Sequence, residues 1–222
     1  YGNPATVLVG DFLFSRSFEL MTEDGSLKVL KILSGASAII AEGEVDQLTA
    51  QRKIDTSEER YLHIIRAKTA ALFAAASRIA AVVAECSDEQ EQALDEYGRN
   101  LGVAFQLVDD ALDYDSNAAA MGKDRGDDFR EGKMTLPVIL AYARGSEEER
   151  EFWKAAIGGF KTSDADLDHA IELIDRHHAV DDTKARARHF AQRAIDALSI
   201  FPDSSARQAM TQAALFAVAR GY

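Results

Sequence analysis

The stretch FQLVDDALDYDSN, residues 105–117, sets Asp109, Asp110 and Asp113 beside a run of apolar side chains. On a helix turning about 100° per residue, Leu101, Phe105, Val108 and Leu112 share one stripe, and Gln106, Asp109, Asp110 and Asp113 fall about a third of a turn away. Like charges three and four residues apart oppose helix formation by about a few tenths of a kcal/mol each, and carboxylates near a helix C-terminus meet the unfavourable end of its dipole. Taken alone, the pattern reads equally as a solvated charged face. It also reads as a set of hard oxygen ligands on successive turns, able to hold Mg²⁺ while water and a ligand's phosphate oxygens complete the shell. A bound ion would turn a site that repels anions into one that attracts them.

Two further groups of residues favour the second reading. The segment GKDRGDDFREGK, residues 122–133, carries Lys123, Arg125, Arg130 and Lys133 among glycines that permit close backbone approach. The spacing G-x-x-x-x-G-K-S/T and a preceding strand are both absent, so this is not a Walker A loop. In YLHIIRAKTAALFAAAS, Lys68 and Thr69 interrupt an apolar, alanine-rich helix. A lone lysine there would snorkel to solvent, but beside the other two groups it suits a phosphate. His63, His169, His177, His178 and His189 lie outside these blocks and are read as satisfied or exposed histidines.

The elements that must position these residues read as helices throughout. Only three prolines occur in 222 residues, no hairpin signature appears, and apolar periodicity near 3.6 predicts helices at about 5–22, 26–52, 57–85, 88–114, 135–145, 147–158, 164–178, 182–199 and 204–220. Ser57 and Ser87 are expected N-caps, and Pro137 belongs in the first turn of its helix. The long connection at roughly 113–134 does not look like a simple turn, and connections of that length are usually functional or disordered. A short hinge is expected around 159–163. The expectation is an all-α chain in a single helical domain spanning 1–222, whose 47% hydrophobic content can fill a sizeable core.

Composition narrows the partners. With 25 basic against 37 acidic residues, the net charge of −12 argues against nucleic acid. The single cysteine, Cys86, rules out an internal disulfide framework and suits a reduced, cytoplasmic setting. The longest apolar stretch, interrupted by Ser77 and Arg78, is far short of the roughly 20 residues of a membrane span. The chain opens on Tyr1 without a signal-peptide pattern.

In joint order, VLVGDFLFSRSF, SLKVLKILSGASAIIAEGEVDQL, RAKTAALFAAAS, LGVAFQLVDDALDY and GKDRGDDFREGKMTLPVILA resemble the blocks of the trans-isoprenyl diphosphate synthases, the polyprenyl synthetase family, and within it the bacterial octaprenyl to decaprenyl diphosphate synthases. The resemblance implies an isoprenoid-synthase-type helical bundle around a central cavity. It implies a Mg²⁺-assisted condensation of isopentenyl diphosphate with an allylic diphosphate, giving a long all-trans chain for a quinone. Carried over by residue, it implies that Asp109, Asp110 and Asp113 hold Mg²⁺ and that Asp128 supports the metals through water. Lys68, Lys123 and Lys133 would bind diphosphate, while Lys68, Thr69 and Gln106 would serve catalysis, the oxygens of Thr69 and Gln106 facing the developing allylic cation. A homodimer is implied, as is transient membrane contact through a lipid product.

The family's first aspartate-rich motif and its N-terminal basic residues belong upstream of Tyr1, so the chain as given is expected to lack the N-terminal helices and to be inactive by itself. Two competing readings are a non-catalytic partner subunit and a class I terpene cyclase. The intact second motif and lysines weigh against the first, and no Asn/Ser/Glu metal motif after residue 160 supports the second. Finally, Ala36, Ser37, Ala38, Ala41, Ala74, Ala75 and Ala76 are small residues on two helices, expected to leave a channel open for the growing chain.

Overall fold

The structure is a computed structural model that describes residues 2–115, 125–159 and 163–219. Among the described residues every regular element is helical: α1 (Gly2–Asp24), α2 (Leu27–Ala50), α3 (Glu58–Ile65), a π-helical turn (Arg66–Ala70), α4 (Ala71–Val83), α5 (Asp88–Leu112), α6 (Asp127–Glu131), α7 (Leu136–Arg144), α8 (Glu147–Gly158), α9 (Asp164–Arg176), α10 (Ala179–Ala197), a 3₁₀ turn (Leu198–Ile200) and α11 (Ser205–Ala219). None of these helices is long and apolar enough to cross a membrane.

Local sequence sets the helix starts. Ser57 accepts from the Arg60 N–H, and Ser87 forms a reciprocal capping box with Gln90 at the head of α5, each such cap contributing about 1 kcal/mol. Ser146 and Ser163 open α8 and α9 in the same way. Pro137 sits in the first turn of α7, where its missing N–H costs nothing.

Helix α5 is the axis of the fold. It packs between α4 and α10, with α2 beyond α4 and α7 and α9 closing the far end. The main core joins α5 to that end: Leu107 and Val108 meet Phe129, Leu136, Val138, Trp153, Ile157, Leu173 and Ile174, side chains whose full burial stabilises by about 1.5–3 kcal/mol each.

Three details depart from the periodicity. The helix expected over 57–85 is broken by the π turn at 66–70, where the Ala71 N–H reaches back to the Arg66 carbonyl, one residue farther than an α-helix allows. The long connection contains the short helix α6, bounded by Gly126 and Gly132 in the left-handed region. The apolar stripe is also broader than expected: Leu101 and Phe105 are half-buried, while Val103, Ala104, Leu107 and Ala111 are fully packed. Because helices cover α5 from more than one side, only Asp109 of the three carboxylates keeps partial access to solvent. Asp110 and Asp113 are buried with the apolar residues.

Candidate active site

The close meeting of α2, the π turn and α5 brings the polar residues together. A Cβ on Gly43 would lie 2.7 Å from the Lys68 backbone nitrogen, and one on Gly102 would lie 2.6 Å from the Ala70 Cα, so the π turn is gripped between two helices at positions where only hydrogen fits. Lys68 thereby reaches Gln47 of α2, donating from Nζ to Oε1 at 2.5 Å.

A cavity of about 190 Å³ opens at this junction, lined by Gln47, Lys68, Gln106, Asp109, Asp110, Asp128 and Lys133, with Tyr61, Ile64 and Ile65 as part of its wall. Two lysines therefore face three carboxylates. Lys133 donates to Asp128 at 2.9 Å and pairs with Glu131 at 2.8 Å. Burial works against its charge, but these two partners outweigh burial and hold the ammonium firmly protonated.

Behind the cavity runs a chain of hydrogen bonds. Thr69 Oγ1 donates to Gln106 Oε1 at 2.9 Å, and Gln106 Nε2 donates to Asp110 Oδ1 at 2.8 Å. Tyr61 donates its hydroxyl to Asp110 Oδ2 at 2.6 Å. Burial, and then Asp128, push the Asp110 carboxyl up to about 7 against the opposing pull of these bonds. Burial, and then Asp110, raise the Tyr61 phenol well above its ordinary value, so it remains a donor.

Asp113 plays a different geometric part. Its two oxygens accept the backbone N–H groups of Asp127 and Asp128 at 3.2 and 3.1 Å, and the side chain is not among those lining the cavity. It fixes the start of α6, and so the direction from which Asp128 enters. Burial and Asp128 push its carboxyl up to about 6.

The residues expected from sequence are thus gathered unevenly. Lys68, Gln106, Asp109, Asp110, Asp128 and Lys133 share one cavity, Thr69 touches it through Gln106, and Lys123 lies outside the described residues. Arg125 and Arg130, expected to help recruit phosphate, are engaged elsewhere: Arg125 donates to the Tyr114 carbonyl, and Arg130 bonds the Arg125 carbonyl and pairs with Asp164. Sequence reasoning missed Tyr61 and Gln47. Tyr61 stands seven residues before Lys68, a spacing that hints at a shared face, but Gln47 had no pattern to mark it.

Of the small residues expected to line a channel, Ala36, Ala74 and Ala75 border a second hollow of about 300 Å³ between α2, α4 and α5, together with Ile32, Gly35, Ile39 and Ala71. Ala38, Ala41 and Ala76 are instead exposed, and Ser37 is half-buried and bonds the Leu33 carbonyl.

The donor set suits a hard cation. Asp109, Asp110 and Asp128 offer only carboxylate oxygen, and mutual repulsion in a buried place marks a missing positive charge. Among the described residues no three such groups converge tightly enough to enclose an ion unaided. A hard cation bound there would keep several waters and take further oxygens from a bound phosphate.

The family model of the polyprenyl synthetases matches residues 1–174. The chain is 43% identical over 224 residues to an octaprenyl diphosphate synthase of Haemophilus influenzae, covering 100% of this chain and 67% of the relative. Among solved structures, a decaprenyl diphosphate synthase from Rhodobacter capsulatus superposes with a TM-score of 0.93 at 47% identity, covering 99% of this chain and 68% of that one. A polyprenyl synthase from Caulobacter crescentus, complexed with calcium and isoprenyl diphosphate, gives 0.95 at 51% identity over 99% and 67%. With the helical bundle, the DDxxD on its axial helix and the facing lysines in agreement with a match of that extent, the chain belongs to the polyprenyl synthetase family.

Proposed function

We propose that the cavity holds the diphosphate of an allylic substrate and that the protein condenses it with isopentenyl diphosphate, building a long all-trans polyprenyl diphosphate suited to a quinone side chain. The observation that carries this reading is the facing of Lys68 and Lys133 with Asp109, Asp110 and Asp128 across one cavity. Lysines alone would bind an anion, and carboxylates alone would reject it. Both together suit an anion delivered with its metal.

The residue roles follow from their places. Asp109 and Asp110 are the proposed ligands of Mg²⁺, with Asp128 supporting it through water and Asp113 holding Asp128 in position. Mg²⁺ bound there supplies positive charge against a departing diphosphate. Lys68 and Lys133 neutralise the same oxygens, a role the family resemblance alone extends to Lys123, and the carbonyl of Gln106, backed by Thr69, lies where it can stabilise an allylic cation. Tyr61, Ile64 and Ile65 help keep water from that carbon.

The same reading makes the protein a cytoplasmic homodimer with transient membrane contact through its product. Exposed Val7, Leu8, Phe12 and Leu13 on α1 are the proposed contact. Sedimentation of the full-length protein tests the dimer. The activity is tested by incubating full-length enzyme with isopentenyl diphosphate, farnesyl diphosphate and Mg²⁺. All-trans products longer than the starter, lost on chelation, are expected, and absence of any extension refutes the reading.

A further inference from the structure

Three buried tyrosines show how unusual the setting of Tyr61 is. Tyr97 donates to a backbone carbonyl, that of Met210, and Tyr114 receives the hydroxyl of Thr135. In both the partner is a neutral group, a carbonyl or a hydroxyl. Tyr61, on α3, instead donates to a site carboxylate 49 positions away, Asp110 on α5.

That bond has consequences beyond its own two atoms. Tyr61 and Asp110 are each 4% exposed, so water has little access to replace the phenol if it is removed. A carboxylate can only accept hydrogen bonds. With Oδ2 taken by Tyr61, Oδ1 is turned toward α5's own Gln106 and accepts its amide N–H at 2.8 Å. Gln106 must then point its carbonyl the other way, where Thr69 donates to it at 2.9 Å. Each oxygen of Asp110 retains a second lone pair, as does the Gln106 carbonyl, and both residues line the cavity. The rotation of one carboxylate therefore decides which way both residues present their remaining lone pairs.

The ring of Tyr61 packs in the main core with Ile65 and Leu107, which anchors the hydroxyl from a direction the site itself cannot supply. Ring and hydroxyl are thus separable in function: the first fills volume, the second points.

We propose that Tyr61 is a positioning residue whose hydroxyl fixes the rotation of Asp110 and, through it, the direction of the Gln106 amide, so that it orients the groups that hold metal and diphosphate without itself touching either. The inference rests on the reading of the cavity as a metal and diphosphate site.

The test uses full-length protein, inorganic diphosphate and Mg²⁺, with affinity measured by titration calorimetry alongside the thermal midpoint. Four proteins are compared with wild type: Tyr61→Phe, Asp109→Ala, Asp110→Asn and the Tyr61→Phe/Asp110→Asn pair. Tyr61→Phe should weaken Mg²⁺-dependent diphosphate binding about tenfold, as removal of a partner that orients a metal ligand does, with its midpoint within a few degrees of wild type. In the Asp110→Asn background the same change should add less than about twofold, since both act through one carboxylate. Wild-type affinity in folded Tyr61→Phe overturns the proposal, as does an equal loss in both backgrounds. A Tyr61→Phe protein that does not fold, while Asp110→Asn does, assigns the hydroxyl to folding and overturns it too. If wild type itself binds no diphosphate, or Asp109→Ala binds as well as wild type, the reading of the cavity fails instead.

Discussion

Gly102 of α5 lies so close to Ala70 of the π turn that a Cβ on the glycine would stand 2.6 Å from the alanine Cα. This contact lets Thr69 on one segment meet Gln106 on the other. Alanine at position 102 must push the two apart, and overpacking of this kind costs about 1–3 kcal/mol. Gly102→Ala in the full-length protein should therefore lower the urea midpoint by a corresponding amount and weaken diphosphate binding. An unchanged midpoint would show that the helices can separate freely.

Asp109 faces the cavity from the axial helix. Asp109→Ala is expected to reduce turnover about a hundredfold or more, as loss of a group that organises transition-state charge does. Far-ultraviolet circular dichroism should be unchanged, because the substitution also removes repulsion along the helix. Full turnover at saturating Mg²⁺ would remove Asp109 from the ligand set.

The raised carboxyls give a pH signature. Asp110 titrates at about 7 and Asp113 at about 6 in the folded, metal-free protein, against about 3.9 for an ordinary aspartate. Between those values the folded chain holds protons that the unfolded chain releases, so this contribution to stability falls as pH rises through the window. Mg²⁺ with inorganic diphosphate needs the ionised form. The rise in thermal midpoint on adding them should grow from about pH 5 to about pH 7. A constant increment across that range would falsify the assignment.

Glu149 titrates in the opposite sense. Hydrogen bonds from His177, then the Ser146 backbone, outweigh burial and, with Arg176, hold its carboxyl down to about 2. It joins the start of α8 to the end of α9. Its contribution is complete above the ordinary glutamate value of about 4.3 and is lost as pH falls through about 2. Wild type should exceed Glu149→Gln in thermal midpoint by a steady margin above about pH 5. That margin should narrow on acidification, and a margin insensitive to acid would remove the network from the account.

The hollow beside Ala36, Ala74 and Ala75 offers a route for a growing apolar chain, whose burial is favourable by about 25 cal/mol per Å² until a side chain blocks it. Ala75 stands about 10 Å along the helix axis from Lys68. In the full-length enzyme, Ala75→Phe and Ala36→Phe should shorten the product while leaving the first extensions intact, and Ala76→Phe, at an exposed position, should not. Chromatography of the dephosphorylated products decides it, and three wild-type lengths would place the path elsewhere.

Helix type, caps and the grouping of polar residues were legible because they depend on neighbours in sequence: Ser87 with Asp88 and Glu89, or Asp109 with Gln106. What escaped depends on contacts between helices. Nothing in YLHIIRAKT states that the Tyr61 hydroxyl ends on Asp110. Nothing in the spacing of Asp113 reveals that its oxygens would be taken by the Asp127 and Asp128 amides. The π turn escaped for the same reason, since an alanine-rich run satisfies either helix and the grip of Gly43 and Gly102 comes from other parts of the chain.

That turn also makes residue count matter at this point. It accommodates one residue beyond an α-helical turn. Deleting a single residue from 66–70 would let the backbone relax to an ordinary helix with Tyr61, Ile64 and Ile65 in nearly their present phase, whereas relaxing it at unchanged length would swing them by about 100° relative to α4. Side chains there can be exchanged one at a time with graded loss. Loss of the π turn at unchanged length would put the two halves of the helix out of phase and separate the lysine from the carboxylates in a single step.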